Sequence, residues 1–100
     1  MDERRTFFRI KNRGEIHAQS QGKEVHIIDL SAHSAALVSD AQLAAKGIIE
    51  LKINLFSIQI HYEIFKKNRE KTIVLFTQEE QINTLLSVLK NLRREIKLQS

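Results

Sequence analysis

The 100-residue chain has no cysteine, no proline and no tryptophan, only three glycines, and no apolar run near the length of a membrane span. Without cysteine there are no disulfides, no zinc–thiolate sites and no thiol nucleophile, and nothing in the chain calls for an oxidising compartment. The roughly 20 apolar residues that a spanning helix needs never occur together, and Met1 is followed by charged residues rather than the apolar stretch of a secretory signal. These absences lead to the expectation of a soluble, cytoplasmic protein with no membrane insertion. Catalytic groupings are missing too. Ser31 has no nearby base and no nucleophile-elbow glycines, and His17, His26, His33 and His61 lack paired ligand spacing, so neither an enzyme nor a metal site is expected.

What the chain does have is a mild basic excess, unevenly placed. Sixteen Lys and Arg stand against twelve Asp and Glu, for a net charge of +4 and a pI near 9.6. Arg4, Arg5 and Arg9 crowd into six positions ahead of anything that reads as core. Arg5 and Arg9 fall on one side of the chain whether it is extended or helical, so they can converge on one anion. Arginine suits a nucleotide, since its planar fork binds phosphate or the O6/N7 edge of guanine and its flat face stacks on a base. Two further clusters, Lys66-Lys67-Asn68-Arg69 and Arg93-Arg94, read as the solvated tip of a hairpin and a helix C-terminus, where cations complement the dipole.

The length suits one small domain with a single core. After the basic arm, taken as residues 1–14, Gly14 marks a turn and residues 15–20 alternate weakly as a short strand. Residues 24–30 read as a central strand, because apolar side chains fall on both faces. Residues 31–34 interrupt it and residues 35–38 resume extended structure. A single helical turn is expected over residues 41–46, ended by Gly47 in the left-handed conformation. Ile49, Leu51, Ile53 and Leu55 then alternate as a half-buried strand, Ile58, Ile60, Tyr62 and Ile64 as another, and residues 72–76 as a third after the charged tip. Their short links allow only antiparallel neighbours, hence a sheet curled into a small barrel over residues 15–77. The period changes at Thr77-Gln78-Glu79-Glu80, which matches a capping box, and Ile82, Leu85, Leu86, Leu89, Leu92 and Ile96 follow at helical spacing. A helix over residues 78–98 is expected to cover the barrel. Its heptad-like stripe leaves a homo-oligomer through the C-terminal helix as a second possibility.

Two motifs in order carry a resemblance across essentially the whole chain. Arg5-x-x-x-Arg9, in the setting Glu-Arg-Arg-x-Phe-x-Arg-Ile, is followed about twenty residues later by Asp29-x-Ser31-x-x-Ser34 and a small-apolar strand. Together with the strand-rich body and closing helix, this resembles a PilZ domain. The resemblance implies a mainly β fold, a small antiparallel six-stranded β-barrel with a C-terminal α-helix, that binds cyclic di-GMP and passes the signal to an unidentified protein effector without being an enzyme. Arg5 and Arg9 would contact phosphate and guanine, Asp29 and Ser31 would hold the other guanine from a turn, and Ser34 would complete the ligand-binding set. Arg4 resembles the residue that accompanies an intercalated ligand dimer in some members, which implies two ligands per chain. The implied message would travel by ordering of the arm over the ligand.

One position departs from the family pattern, which has glycine where this chain has Ser34. If the glycine supplies positive φ, serine there costs on the order of 1 to 2 kcal/mol, about tenfold in affinity. If it admits backbone close to a base, the hydroxymethyl blocks the site. Two rival readings therefore stand beside the receptor: a degenerate PilZ adaptor that works by protein contact alone, as in type IV pilus function, and a basic barrel for single-stranded nucleic acid. The second would need exposed aromatics as stacking platforms, for which Tyr62, Phe56 and Phe65 are the candidates.

Overall fold

A computed structural model describes residues 9–38 and 43–99, with side chains through Leu92. Eight strands precede one helix: β1 (Ile10–Lys11), β2 (Ile16–Ser20), β3 (Lys23–Val25), β4 (Ile27–Leu30), β5 (Ser34–Val38), β6 (Lys46–Ile53), β7 (Phe56–Lys67), β8 (Lys71–Phe76) and α1 (Glu79–Gln99). They form one antiparallel sheet in the order β1-β4-β5-β8-β7-β6-β2-β3, curled into a half-barrel. The mainly β class and closing helix agree with the sequence, although the strands number eight rather than six.

The larger count has a local cause. The run expected as one central strand over residues 24–30 breaks at His26, and its halves lie at or next to opposite ends of the sheet. β3 pairs with β2 through Val25↔Ala18, whereas β4 pairs with β5 through Leu30↔Ala35 and Ile27↔Leu37. One covalent run thus joins the two ends of the curled sheet. It is peripheral in the hydrogen-bonded order, and Val25, Ile27 and Leu30 are nonetheless buried because the curl turns both halves toward one core. The remaining extra strand is β1, two residues inside the stretch read as a free arm, paired as Ile10↔Leu30 and Lys11↔Asp29.

Turn chemistry sets the register. Gln21 and Gly22 both have positive φ, 54° and 78°, the pair that a two-residue hairpin between Ser20 and Lys23 requires. Asn54 takes φ 55° in the β6–β7 turn, a conformation its short polar side chain tolerates. Leu55, expected on the buried side of the strand, stands fully exposed in that turn, because the Ile53↔Phe56 pair ends the ladder before it. No helical turn ends at Gly47, which instead sits in β6 opposite Tyr62. Residues 41 and 42 of that expected turn lie outside the described residues, and Lys46 already belongs to the strand.

Gly47 is small for a packing reason. A Cβ built there would lie 3.2 Å from Cε1 and 3.3 Å from the hydroxyl oxygen of Tyr62, whose ring covers the bare backbone and whose hydroxyl donates to the Ala44 carbonyl at 2.8 Å. The core behind this pair includes Leu37, Ile49, Leu51, Ile60 and Val74, all fully buried, and is closed by Leu85, Leu89 and Leu92 from α1. The helical stripe therefore packs on its own sheet, while Ile96 falls outside the described side chains. Helix entry is one residue later than the Thr77 box implies. The Thr77 amide still donates to the His61 carbonyl, extending the ladder, and Gln78 accepts the first helical bond from Ile82.

Burial raises the Tyr62 phenol above its ordinary value of 10.0, an effect the Ser20 hydroxyl opposes. Folding favours the neutral phenol, so its contribution is fully present below about pH 10 and is lost as pH rises through the higher folded value. A tyrosine absorbance titration of the folded protein is expected to show this one phenol ionising above its unfolded value. Gly47→Ala forces a methyl against the Tyr62 ring and is expected to cost about 1 to 3 kcal/mol in a denaturant melt. Wild-type stability for that variant would remove the packing account.

Candidate functional site

Four of the residues singled out in the sequence, Arg9, Asp29, Ser31 and Ser34, meet where β1, β4 and β5 adjoin. Asn12 begins this arrangement by fastening the chain after β1. Its amide nitrogen donates to the Ile16 and Ile27 carbonyls at 2.8 and 3.0 Å, and its carbonyl oxygen accepts from the Gly14 and Ile16 amides at 2.9 and 3.1 Å. All four of this side chain's hydrogen-bonding directions are then used to hold the β1 exit against β2 and β4. The turn expected at Gly14 is present, with Gly14 at φ 110°, and Asn12 two positions earlier is the residue whose side chain closes it.

With Ile10 and Lys11 paired to Leu30 and Asp29, Arg9 is the last described residue before the ladder, diagonal to Asp29 on the same face. Its Nη1 donates to Asp29 Oδ1 at 2.5 Å and its Nη2 donates to Ser34 Oγ at 2.7 Å. The Arg9 side chain is 47% exposed and that of Asp29 25%. At that exposure the ion pair contributes at most about 1 kcal/mol, so it fixes orientation more than it stabilises the fold. Two of the five guanidinium donors are engaged by these bonds, which leaves donor capacity toward solvent.

The turn beneath is a closed polar unit. The Ser31 amide donates to the Ser34 carbonyl at 2.8 Å, and Ser31 Oγ lies 3.2 Å from the Ser34 amide, carbonyl oxygen and hydroxyl and 3.4 Å from the His33 amide. Ser31 and Ser34 are both buried. The His33 carbonyl accepts from the Phe76 amide at 2.8 Å, which ties the turn to the end of β8. Ser34 is the first residue of β5, paired with Leu75, and is absent from the positive-φ residues among those described. The proposed backbone penalty at this position therefore does not arise: serine fits the strand, and its hydroxyl holds Arg9.

Four of the six sequence candidates, Arg9, Asp29, Ser31 and Ser34, are thus brought into one hydrogen-bonded cluster. Arg4 and Arg5 lie outside the described residues, as do Phe7 and Phe8. Of the aromatics that a nucleic-acid platform would use, Tyr62 is buried and Phe56 half-buried, and only Phe65 stands free of the sheet at 67% exposure. No group of three or more His, Asp or Glu among the described residues could hold a metal ion. No described helix is long and apolar enough to cross a membrane.

Comparison with known proteins agrees with this architecture. In structure the chain is similar to an uncharacterized protein of Legionella, with a TM-score of 0.87 and 33% identity over 90% of this chain and 98% of that one. It is also similar to the PilZ domain of CeSA from a cellulose-synthesizing bacterium, with a TM-score of 0.53 over 83% of this chain and 98% of that one, where 16% identity speaks to fold alone. No curated protein matches the sequence. The family model described as PilZ domain-like spans residues 9–97, from the arginine of the cluster through β1 to β8 and nearly all of α1, and the chain belongs to that family.

Proposed function

We propose that this chain is a non-enzymatic receptor for cyclic di-GMP that acts in the bacterial cytoplasm and hands its signal to a protein effector. The observation that carries the reading is the outward-facing Arg9–Asp29 pair, seated on the closed Ser31–Ser34 turn. A guanidinium held by a carboxylate is oriented before the ligand arrives, which reduces the ordering cost of binding. Its free N–H groups suit a phosphodiester or the O6/N7 edge of guanine, and the second carboxylate oxygen of Asp29 suits the N1 and N2 donors of the base. Arg5 would add the second charge needed for two phosphodiesters, and Arg4 would favour a stacked ligand pair. The signal would leave through the arm as it folds over the ligand.

A second reading has its own support in one contact. The Ser34 hydroxyl accepts from Arg9 at 2.7 Å, so the cluster is partly satisfied without any ligand. A chain sealed in this way would act as an adaptor by protein contact alone.

Isothermal titration with cyclic di-GMP, with GTP and cyclic di-AMP as controls, separates the two. Selective saturation at one or two ligands per chain is expected, and the absence of binding at high micromolar ligand would leave the adaptor. Arg9→Ala is expected to abolish binding while shifting stability by no more than about 1 kcal/mol, since the pair is half-exposed. Ser34→Gly releases one hydrogen bond from Arg9 and is expected to tighten binding about twofold to tenfold. Weaker binding by that variant would show that the hydroxyl helps the ligand instead of competing with it.

A further inference from the structure

The end of the β7–β8 hairpin is more than a solvated turn. Lys66, Lys67, Arg69 and Lys71 are all exposed there, with Glu70 the sole carboxylate within that stretch. No hydrogen bond or ion pair among the described residues engages those four cationic side chains. Lysines guard unpaired strand edges in many sheets, and β7 does run past the end of β6, whose ladder stops at Lys46↔Glu63. Edge protection accounts for the lysines. It does not account for Phe65.

Phe65 is the extra residue of a β-bulge, lying between the pairs Ile64↔Val74 and Lys66↔Ile73. A bulge re-aims a side chain, and here it leaves the phenyl ring 67% exposed immediately beside Lys66. Val38, opposite Lys71 on the adjoining strand, is a further partly exposed apolar group beside the tip. The tip is also rigid. The Asn68 amide donates to the Lys71 carbonyl at 3.0 Å, and Asn68 Oδ1 accepts from the Glu70 and Lys71 amides at 2.9 Å each. Leu55 is still more exposed at the opposite hairpin, but only Lys52 accompanies it nearby in sequence.

We propose that this hairpin docks on an anionic lipid bilayer, with Phe65 seated at the headgroup level and Lys66, Lys67, Arg69 and Lys71 against the lipid phosphates. An aromatic ring with cations around it is the composition that the membrane–water interface favours. A hairpin end is convex and fits a broad surface better than it encloses a peptide, and a single exposed aromatic is a poor platform for successive bases. Each cation near such a surface adds about fivefold to partitioning, and burial of the phenyl ring adds at least about tenfold. The contact is peripheral and reversible, and it needs no nucleotide.

The chain has no tryptophan, so Phe65→Trp supplies a single reporter at the tip. Its emission is expected to shift to the blue on addition of vesicles containing phosphatidylglycerol, to stay fixed with phosphatidylcholine alone, and to revert at high salt. In vesicle sedimentation without nucleotide, Phe65→Ala is expected to weaken partitioning about tenfold, and the triple variant K66E/K67E/R69E to abolish it, with both melting as the wild type does. Three outcomes would overturn the proposal: no partitioning of the wild type onto phosphatidylglycerol vesicles, partitioning indifferent to Phe65→Ala, or tighter binding to polyglutamate or a single-stranded oligonucleotide than to vesicles. Cyclic di-GMP titration of the charge-reversed variant is expected to match the wild type, which keeps this surface separable from the nucleotide site.

Discussion

The fold depends on one extended run that serves two ends of a sheet. β3 and β4 are eight residues of chain interrupted at His26, and the first half completes one end of the curled sheet while the second half lies beside β1 at the other. The curl cannot relax without pulling this run off one partner or the other. The same constraint builds the site. β4 presents both Ile27 and Leu30 to the core, three positions apart, because its register slips between Ile27 and Asp29; past that slip, alternation from Leu30 sends Asp29 outward. β1 then brings Arg9 within reach of it, and the Asn12 side chain holds the exit of β1 in place.

Much of this was legible in the chain, and the misses share a cause. Alternation over Ile49, Leu51 and Ile53, and over Ile58, Ile60, Tyr62 and Ile64, identified β6 and β7, because each strand buries one face. The shift to helical spacing after Thr77 identified α1 for the same reason. Apolar residues on both faces of residues 24–30 suggested a central strand, but a run that bends between two sheet ends produces the same pattern. Gly47 was read through its backbone freedom when its role is to make room for the Tyr62 ring. Leu55 was counted as core because periodicity does not reveal where a hairpin turns.

For the candidate site, motif spacing singled out Asp29, Ser31 and Ser34; the two serines bond each other, and Asp29 joins them through Arg9. Ser31, just past the end of β4, closes the turn on the backbone of Ser34, the first residue of β5, three positions on. What spacing could not supply was the state of Arg9. Its link to the Ser34 hydroxyl depends on a residue that differs from the family pattern, and that contact exists only in three dimensions. The backbone of Ser34 is ordinary strand, so the exchange alters which partner the guanidinium has and leaves the main chain as it was.

Among the described residues, the terminal strands of the sheet are its two shortest, β1 with two residues and β3 with three. An exposed strand edge is a template on which a neighbouring copy can add a strand, and each added residue lengthens the register that can form. A second molecule arriving here finds two or three residues before the chain turns away, at Asn12 on one side and at His26 on the other. The same breaks that shape the barrel thus deny a foothold to intermolecular pairing. Each of these two described edges thereby offers a neighbouring copy only a short template.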